Sequence, residues 1–265
     1  MNILRNISFG QYIPRESLIH NLDPRIKILS CLAIIISLFL ITEFSGYLIL
    51  GTVIMIGIII SQVHPKFVFR GLRPILFIII FTLIIHLFMT EGEILYHLGF
   101  LKITREGLIK GLLISCRLFI LILTTSLLTL ATSPISLTDG IERLLSFFKF
   151  IGMPAHEIAM MMTIALRFIP TLLEETEKIM KAQISRGADF ESGSIFNRIK
   201  NLIPILIPLF VSAFRRADEL AIAMEAKCYR GGEGRTHFRK LKVRGADILT
   251  LTLTAVITVM TSIMF

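Results

Sequence analysis

The residues with the clearest chemical potential in this chain are cations at the ends of helical patterns. Ser185-Arg186-Gly187 and Ala226-Lys227-Cys228 each close a long helix-patterned run within a polar stretch from Met153 to Arg235. A cation there sits at the negative end of its own helix dipole, which stabilises it while leaving the side chain free to reach an acidic partner. The chemistry implied is ionic docking rather than bond making. Spacing alone leaves a second reading open, in which Arg186 and Lys227 only neutralise solvated helix ends.

Other chemistries find less support. The run Tyr229-Arg230-Gly231-Gly232-Glu233-Gly234-Arg235-Thr236 follows a helix rather than a strand and lacks a Gly-Lys-Ser/Thr sequel, so it is not read as a phosphate loop. Cys31, Cys116 and Cys228 are far apart, which implies neither a disulfide framework nor a zinc site. An intramembrane enzyme needs convergent carboxylates, histidines or a nucleophile at bilayer depth; the apolar runs offer His86 near one end, which packing or an interfacial position explains. A self-contained channel or carrier needs polar pore-lining residues or repeated halves, and neither is evident. No catalytic residue, cofactor or metal site is expected.

These cations must be positioned by a membrane-embedded scaffold. The 265 residues are 54% hydrophobic, and Ile, Leu and Phe gather into long runs. Together with a mean hydropathy of +0.77, that marks an integral membrane protein. The formal net charge of +9 suits the basic cytoplasmic side of such a protein. No groove-reading or base-stacking motif accompanies it, so nucleic acid is not an expected partner. Met1 to Asp23 has no apolar core of signal-peptide type.

Asp23 before Pro24 suits an N-cap with proline at the first helical position. Residues 26–41 then form a slightly short first span, completed by a snorkelling Lys27. The second span covers 46–63 and stops at His64-Pro65; Lys66, Arg70 and Arg73 crowd the next loop, and Pro74 opens a third span to about Met89. Residues 98–104 form a hairpin or interfacial turn, and Thr104 caps a fourth span over about 108–131. Arg117 lies in its first turns, where snorkelling or pairing with Glu106 accounts for it and a functional role is the alternative. The last span is 248–265.

With the N-terminus cytoplasmic, that side holds Arg5, Arg15, Arg25, Lys27, Lys66, Arg70, Arg73 and seventeen further Lys/Arg between Ser133 and Arg244. The outer loops hold only Lys102, Arg105 and Lys110, so the positive-inside rule selects this orientation. Within the insert, residues 134–150 read as an amphipathic helix, with Ile135, Leu137, Ile141, Leu144, Leu145, Phe147 and Phe148 opposite Asp139, Glu142, Arg143 and Lys149. A second helix starts at Met153-Pro154, kinks at Pro170 and ends at Gly187. A third runs from Ile195 to about Cys228, and its apolar front, Leu202 to Phe210, carries two prolines that argue for a buried or interfacial segment rather than a span. The expected fold is an all-α integral membrane protein with about five transmembrane helices. Its parts are a cytoplasmic N-terminal segment (1–25), a four-helix membrane part (26–132), a large basic cytoplasmic domain with two long helices (133–244) and a last transmembrane helix (245–265).

Four motifs, in this order, carry a resemblance: Gly10-Gln11-Tyr12 with Asp23-Pro24-Arg25; Ala165-Leu166-Arg167-Phe168-Ile169-Pro170; Ser185-Arg186-Gly187-Ala188-Asp189-Phe190; and Ala223-Met224-Glu225-Ala226 leading into Tyr229 to Thr236. Over essentially its whole length the chain resembles the transmembrane component of energy-coupling factor transporters, the EcfT or CbiQ-like family of bacterial vitamin importers powered by two ABC-type ATPases. The resemblance implies a multi-pass protein of the bacterial cell membrane. It also implies two coupling helices, each ending in an Ala-Arg-Gly motif whose arginine enters a groove on one ATPase subunit, with Arg186 and Lys227 in those roles. Ser185 departs from Ala, Lys227 from Arg and Cys228 from Gly. Lysine keeps the charge but loses the bidentate fork, so docking at Lys227 is expected to be the less strict of the two.

A second implied partner is a small substrate-binding membrane subunit. The apolar faces around Ile158, Met161, Met162 and Phe168, and around Ile205, Leu206 and Phe210, are the surfaces expected to meet it. Methionine suits a surface that repacks against different partners.

Overall fold

A computed structural model of the chain describes residues 12–98, 101–188, 190, 194–231 and 243–265. Gly10, Gln11, Gly99, Phe100, Asp189 and Gly232 to Thr236, all within segments singled out by sequence, lie outside this set. The chain divides into two compact units, one within residues 12–141 and 243–265, the other within residues 142–231.

In the first unit the helices are α1 (Pro24–Leu40), α2 (Phe44–Ser61), α3 (Pro65–Met89), α4 (Arg105–Ala131), α5 (Pro134–Leu145) and, after the second unit, the final helix Gly245–Met264. Strands β1 (Ile94–Leu98) and β2 (Leu101–Thr104) pair antiparallel between α3 and α4, so the turn expected there is a hairpin. The second unit holds a 3-10 turn (Ser146–Ile151) and two long helices, α6 (Ala155–Ser185) and α7 (Ile195–Ala226); the final helix is therefore α8.

Among the described residues, five helices are long and apolar enough to cross a membrane: α2, residues 71–89 of α3, α4, α6 and α8. α1, at 17 residues, spans only about 26 Å, just under the hydrocarbon thickness of about 30 Å. α6 qualifies through its apolar first half, since Glu174, Glu175, Glu177, Lys178 and Lys181 all fall in its second. Two boundaries differ from expectation. α3 begins at Pro65 and runs through Pro74, so Lys66, Arg70 and Arg73 belong to its first turns rather than to a loop. The amphipathic helix stops at Leu145, where the Ser146 hydroxyl bonds the Arg143 carbonyl and a 3-10 turn carries the edge-packed Phe147, Phe148 and Phe150. α6 runs through Pro170, the expected kink position, as one helix.

Asp23 caps α1 as expected, its carboxylate accepting from the Arg25 amide at 3.0 Å. Its own amide donates to Asp247 Oδ1 at 2.8 Å, while Asp247 Oδ2 accepts from the Arg244 amide at 2.6 Å. One buried carboxylate thereby satisfies backbone donors at the starts of both α1 and α8. Ser30 then meets Thr254 at 3.2 Å, and Ser37 meets Thr261 at 3.2 Å. Residues 23, 30 and 37 face 247, 254 and 261, so the two helices run parallel with polar contacts at heptad spacing. Such a repeat keeps one seam in register along a left-handed crossing.

α1 and α4 cap each other. Lys27, expected to snorkel, donates instead to the carbonyls of His20 and of Ala131, the last residue of α4, both at 3.0 Å. Arg117 neither snorkels nor pairs with Glu106; it donates to the carbonyl of Ile41, the C-cap of α1, at 3.2 Å, and to the Tyr47 hydroxyl at 2.8 and 3.0 Å. Tyr47 also donates to the Ile41 and Leu38 carbonyls, at 3.0 and 3.3 Å. The interval from 27 to 41 equals that from 117 to 131, so each antiparallel helix supplies a cation to the other's negative end. The Glu106 carboxylate is occupied by the Glu93 amide at 2.7 Å. Before α1, burial lowers the His20 imidazole below its ordinary value, and its ring nitrogens meet Ser17 Oγ at 2.7 Å and the Ile13 carbonyl at 3.1 Å.

The core of this unit joins α1 to α4 through Leu38, Tyr47, Leu50, Leu72 and Leu130. Gly107 lets α3 and α4 approach, because a Cβ there would stand 2.5 Å from the His86 carbonyl.

Candidate functional site

The two helix ends singled out by sequence close in the same way. At the end of α6, the Gly187 amide bonds the Ile184 carbonyl at 2.9 Å and the Ala188 amide bonds the Gln183 carbonyl at 3.0 Å. At the end of α7, the Cys228 amide bonds the Glu225 carbonyl at 2.8 Å and the Tyr229 amide bonds the Met224 carbonyl at 3.0 Å. Both are Schellman terminators, in which the residue after the cap turns left-handed and its successor reaches back to the last turn. Gly187 has φ +88° and Cys228 φ +55°. Cysteine thus adopts the backbone that glycine adopts in the matching place, at a steric cost of about 1–2 kcal/mol for a residue with a Cβ.

The C-cap residues are Arg186 and Lys227, flanked by Ser185 and Ala226. Both cations are exposed, and neither forms an ion pair with a side chain among the described residues. At a helix C-terminus each is held by the dipole with its head group in solvent.

α6 and α7 meet through Glu175, whose carboxylate accepts from Ser212 Oγ at 2.7 Å and from Arg216 Nη2 at 2.9 Å. Arg186 follows Glu175 by eleven residues, and Lys227 follows Arg216 by eleven. At 1.5 Å per residue, each cation stands about 16 Å beyond the shared ion pair along its own helix. Nearer the start of the unit, His156 Nδ1 contacts Glu142 Oε1 at 2.9 Å.

The apolar set divides. Met161, Met162, Leu206 and Phe210 are exposed, with Phe210 at 61%, and Ile158 and Phe168 are half-buried. Ile205 is 4% exposed and belongs to the interior, which corrects its placement on a contact face: it lies on the opposite side of α7 from Ile203, Ile207 and Phe210.

The sequence does not single out Glu175, Ser212 and Arg216 as partners, and it singles out Arg117 without its partners Tyr47 and Ile41. The available signals were an acidic run, Glu174-Glu175-Thr176-Glu177, facing the basic pair Arg215-Arg216, and an arginine inside an otherwise apolar helix.

The CbiQ family profile, described as "Cobalt transport protein", matches residues 15–238. The chain is 54% identical over 256 residues to the energy-coupling factor transporter transmembrane protein EcfT of Thermosediminibacter oceani, covering 97% of each. It is 53% identical over 249 residues to the protein of that name from Clostridium kluyveri, covering 93% of this chain and 92% of the relative. With that of Bacillus subtilis the identity is 49% over 247 residues, covering 92% and 93%. With five helices long and apolar enough to cross a membrane and near-full-length relatives of this kind, the chain belongs to the CbiQ family, as the multi-pass transmembrane component of a bacterial energy-coupling factor transporter.

Proposed function

We propose that the chain couples two ABC-type ATPase subunits to a small substrate-binding membrane subunit in an importer of vitamins or other micronutrients, with the ATPases carrying out the hydrolysis. Arg186 docks on one ATPase and Lys227 on the other; Ser185, Gly187, Ala226 and Cys228 shape the two tips. The observation that carries this reading is the matched pair of terminators, each presenting an exposed cation that pairs with no described side chain, beyond a common Glu175–Arg216 contact. Two equal arms suit two similar subunits that approach and separate: movement of the tips becomes rotation about the crossing, which displaces the apolar front halves of α6 and α7. Those fronts, with Ile158, Met161, Met162, Phe168, Leu206 and Phe210, meet the substrate-binding subunit. The N-terminus is cytoplasmic in this arrangement.

The test is co-purification in detergent with the two ATPase subunits, comparing the unaltered protein with Arg186→Glu, Lys227→Glu and the double change. Each single change should weaken the complex, with the larger loss at Arg186, and the double change should abolish it while the circular-dichroism helix signal persists. Equal recovery of the ATPases with all four proteins would mean that these tips are ordinary solvated helix ends.

A further inference from the structure

The membrane unit contains an apolar groove of about 450 Å³, within the usual size range of small-molecule sites. Ile26 and Ile34 of α1 and Ile54 of α2 are buried and form its floor, while Ile56 of α2 and Leu249 and Leu253 of α8 are exposed and form its rim. The rim helices carry no charged residue over 44–61 and 248–264, so the rim lies at hydrocarbon depth.

The polar side chains among the described lining residues are largely engaged by the protein itself. Ser30 and Thr254 are bonded to each other, Thr124 and Thr250 donate to carbonyls of their own helices, and the Lys27 ammonium is engaged by the carbonyls of His20 and Ala131. A buried water needs two to four polar partners, and an unfilled hollow forfeits dispersion contacts along its lining. The solvent at this depth is acyl chain.

We propose that this groove is a lipid site that binds one phospholipid acyl chain along α1, between α2 and α8. Recognition is of the chain and not of the headgroup, since Lys27, the one charged residue of the described lining, already gives two of its three N–H donors to the carbonyls of His20 and Ala131. The bound chain completes the packing between α2 and α8.

The chain has no tryptophan, so a single introduced one reports alone. The full-length protein carrying Leu128→Trp, a half-buried lining position, is placed in nanodiscs containing lipid brominated on its acyl chains, beside Leu48→Trp, an exposed position outside the groove. Fluorescence at both positions should be quenched, to the same extent with phosphatidylcholine and with phosphatidylglycerol. Quenching at position 48 alone would overturn the proposal, as would loss of quenching at 128 when the partner subunits assemble, because a protein segment would then be the occupant. In a second measurement, native mass spectrometry compares Gly57→Phe, which fills the groove beside Leu127, with Val259→Phe outside it. Gly57→Phe should lower the retained lipid several-fold relative to Val259→Phe; equal retention would also overturn the proposal.

Discussion

Glycine in place of Cys228 should tighten the end of α7, and alanine in place of Gly187 should loosen the end of α6. Cys228, at φ +55°, lies near the left-handed minimum of about +57°, so its Cβ costs the lower part of the 1–2 kcal/mol range. Glycine recovers that cost but gives back about 0.4–1 kcal/mol through the greater freedom of the unfolded chain. The net gain for Cys228→Gly is therefore about 0–1 kcal/mol, at most roughly 5-fold in the opening equilibrium of the last turn. Gly187, at φ +88°, lies farther from that minimum, and a Cβ there meets nothing within 4 Å, so the penalty for alanine is purely backbone. A cost of about 1–2 kcal/mol corresponds to roughly 5- to 30-fold easier opening. Hydrogen exchange of the full-length protein in detergent, read on peptides covering 183–188 and 224–231 and corrected for intrinsic rates, measures both ends. Slower exchange after Cys228→Gly and faster exchange after Gly187→Ala are expected. Responses of the same sign at the two ends would refute a shared terminator geometry.

Arg117→Leu should destabilise the detergent-solubilised protein by about 1.5–3 kcal/mol, the usual worth of hydrogen bonds from a charged group, because the Tyr47 hydroxyl loses its donor and the Ile41 carbonyl loses one of two. Thermal melts should rank Arg117→Lys between Leu and the native residue, since lysine restores the charge but not the fork; a melting point unchanged by Arg117→Leu would refute the capping role. For the α1–α8 seam, a double-mutant cycle on Ser37→Ala and Thr261→Ala should give a coupling of about 0.6 kcal/mol, the average for interhelical hydrogen bonds in membranes. Strict additivity would mean that the heptad contacts do not set the register.

What the sequence made legible was local. Asp23-Pro24 and Thr104 announced helix starts through their own side chains, and both cap as expected. Gly187 announced a helix end, and the equivalent end at Cys228 was inferred from position rather than residue type, because cysteine in the left-handed region has no propensity signal. Partnerships were hidden. Ser30–Thr254 and Ser37–Thr261 join residues 224 positions apart, and hydroxyls inside apolar runs look like neutral filler until a second helix lies beside them. Arg117 was misplaced because its depth was judged along α4 alone, whereas its position is set by where the short α1 ends. Ile205 was misassigned within a run so apolar that no face stood out, and only the packing of α7 separates it from Leu206.

The same packing fixes how the membrane unit is threaded. The α1–α8 seam is parallel, and Lys27, near the start of α1, caps the last carbonyl of α4. The end of α4 and the starts of α1 and α8 therefore share one face of that unit, and each of these helix ends finds its hydrogen-bond partner on a neighbouring helix rather than in lipid.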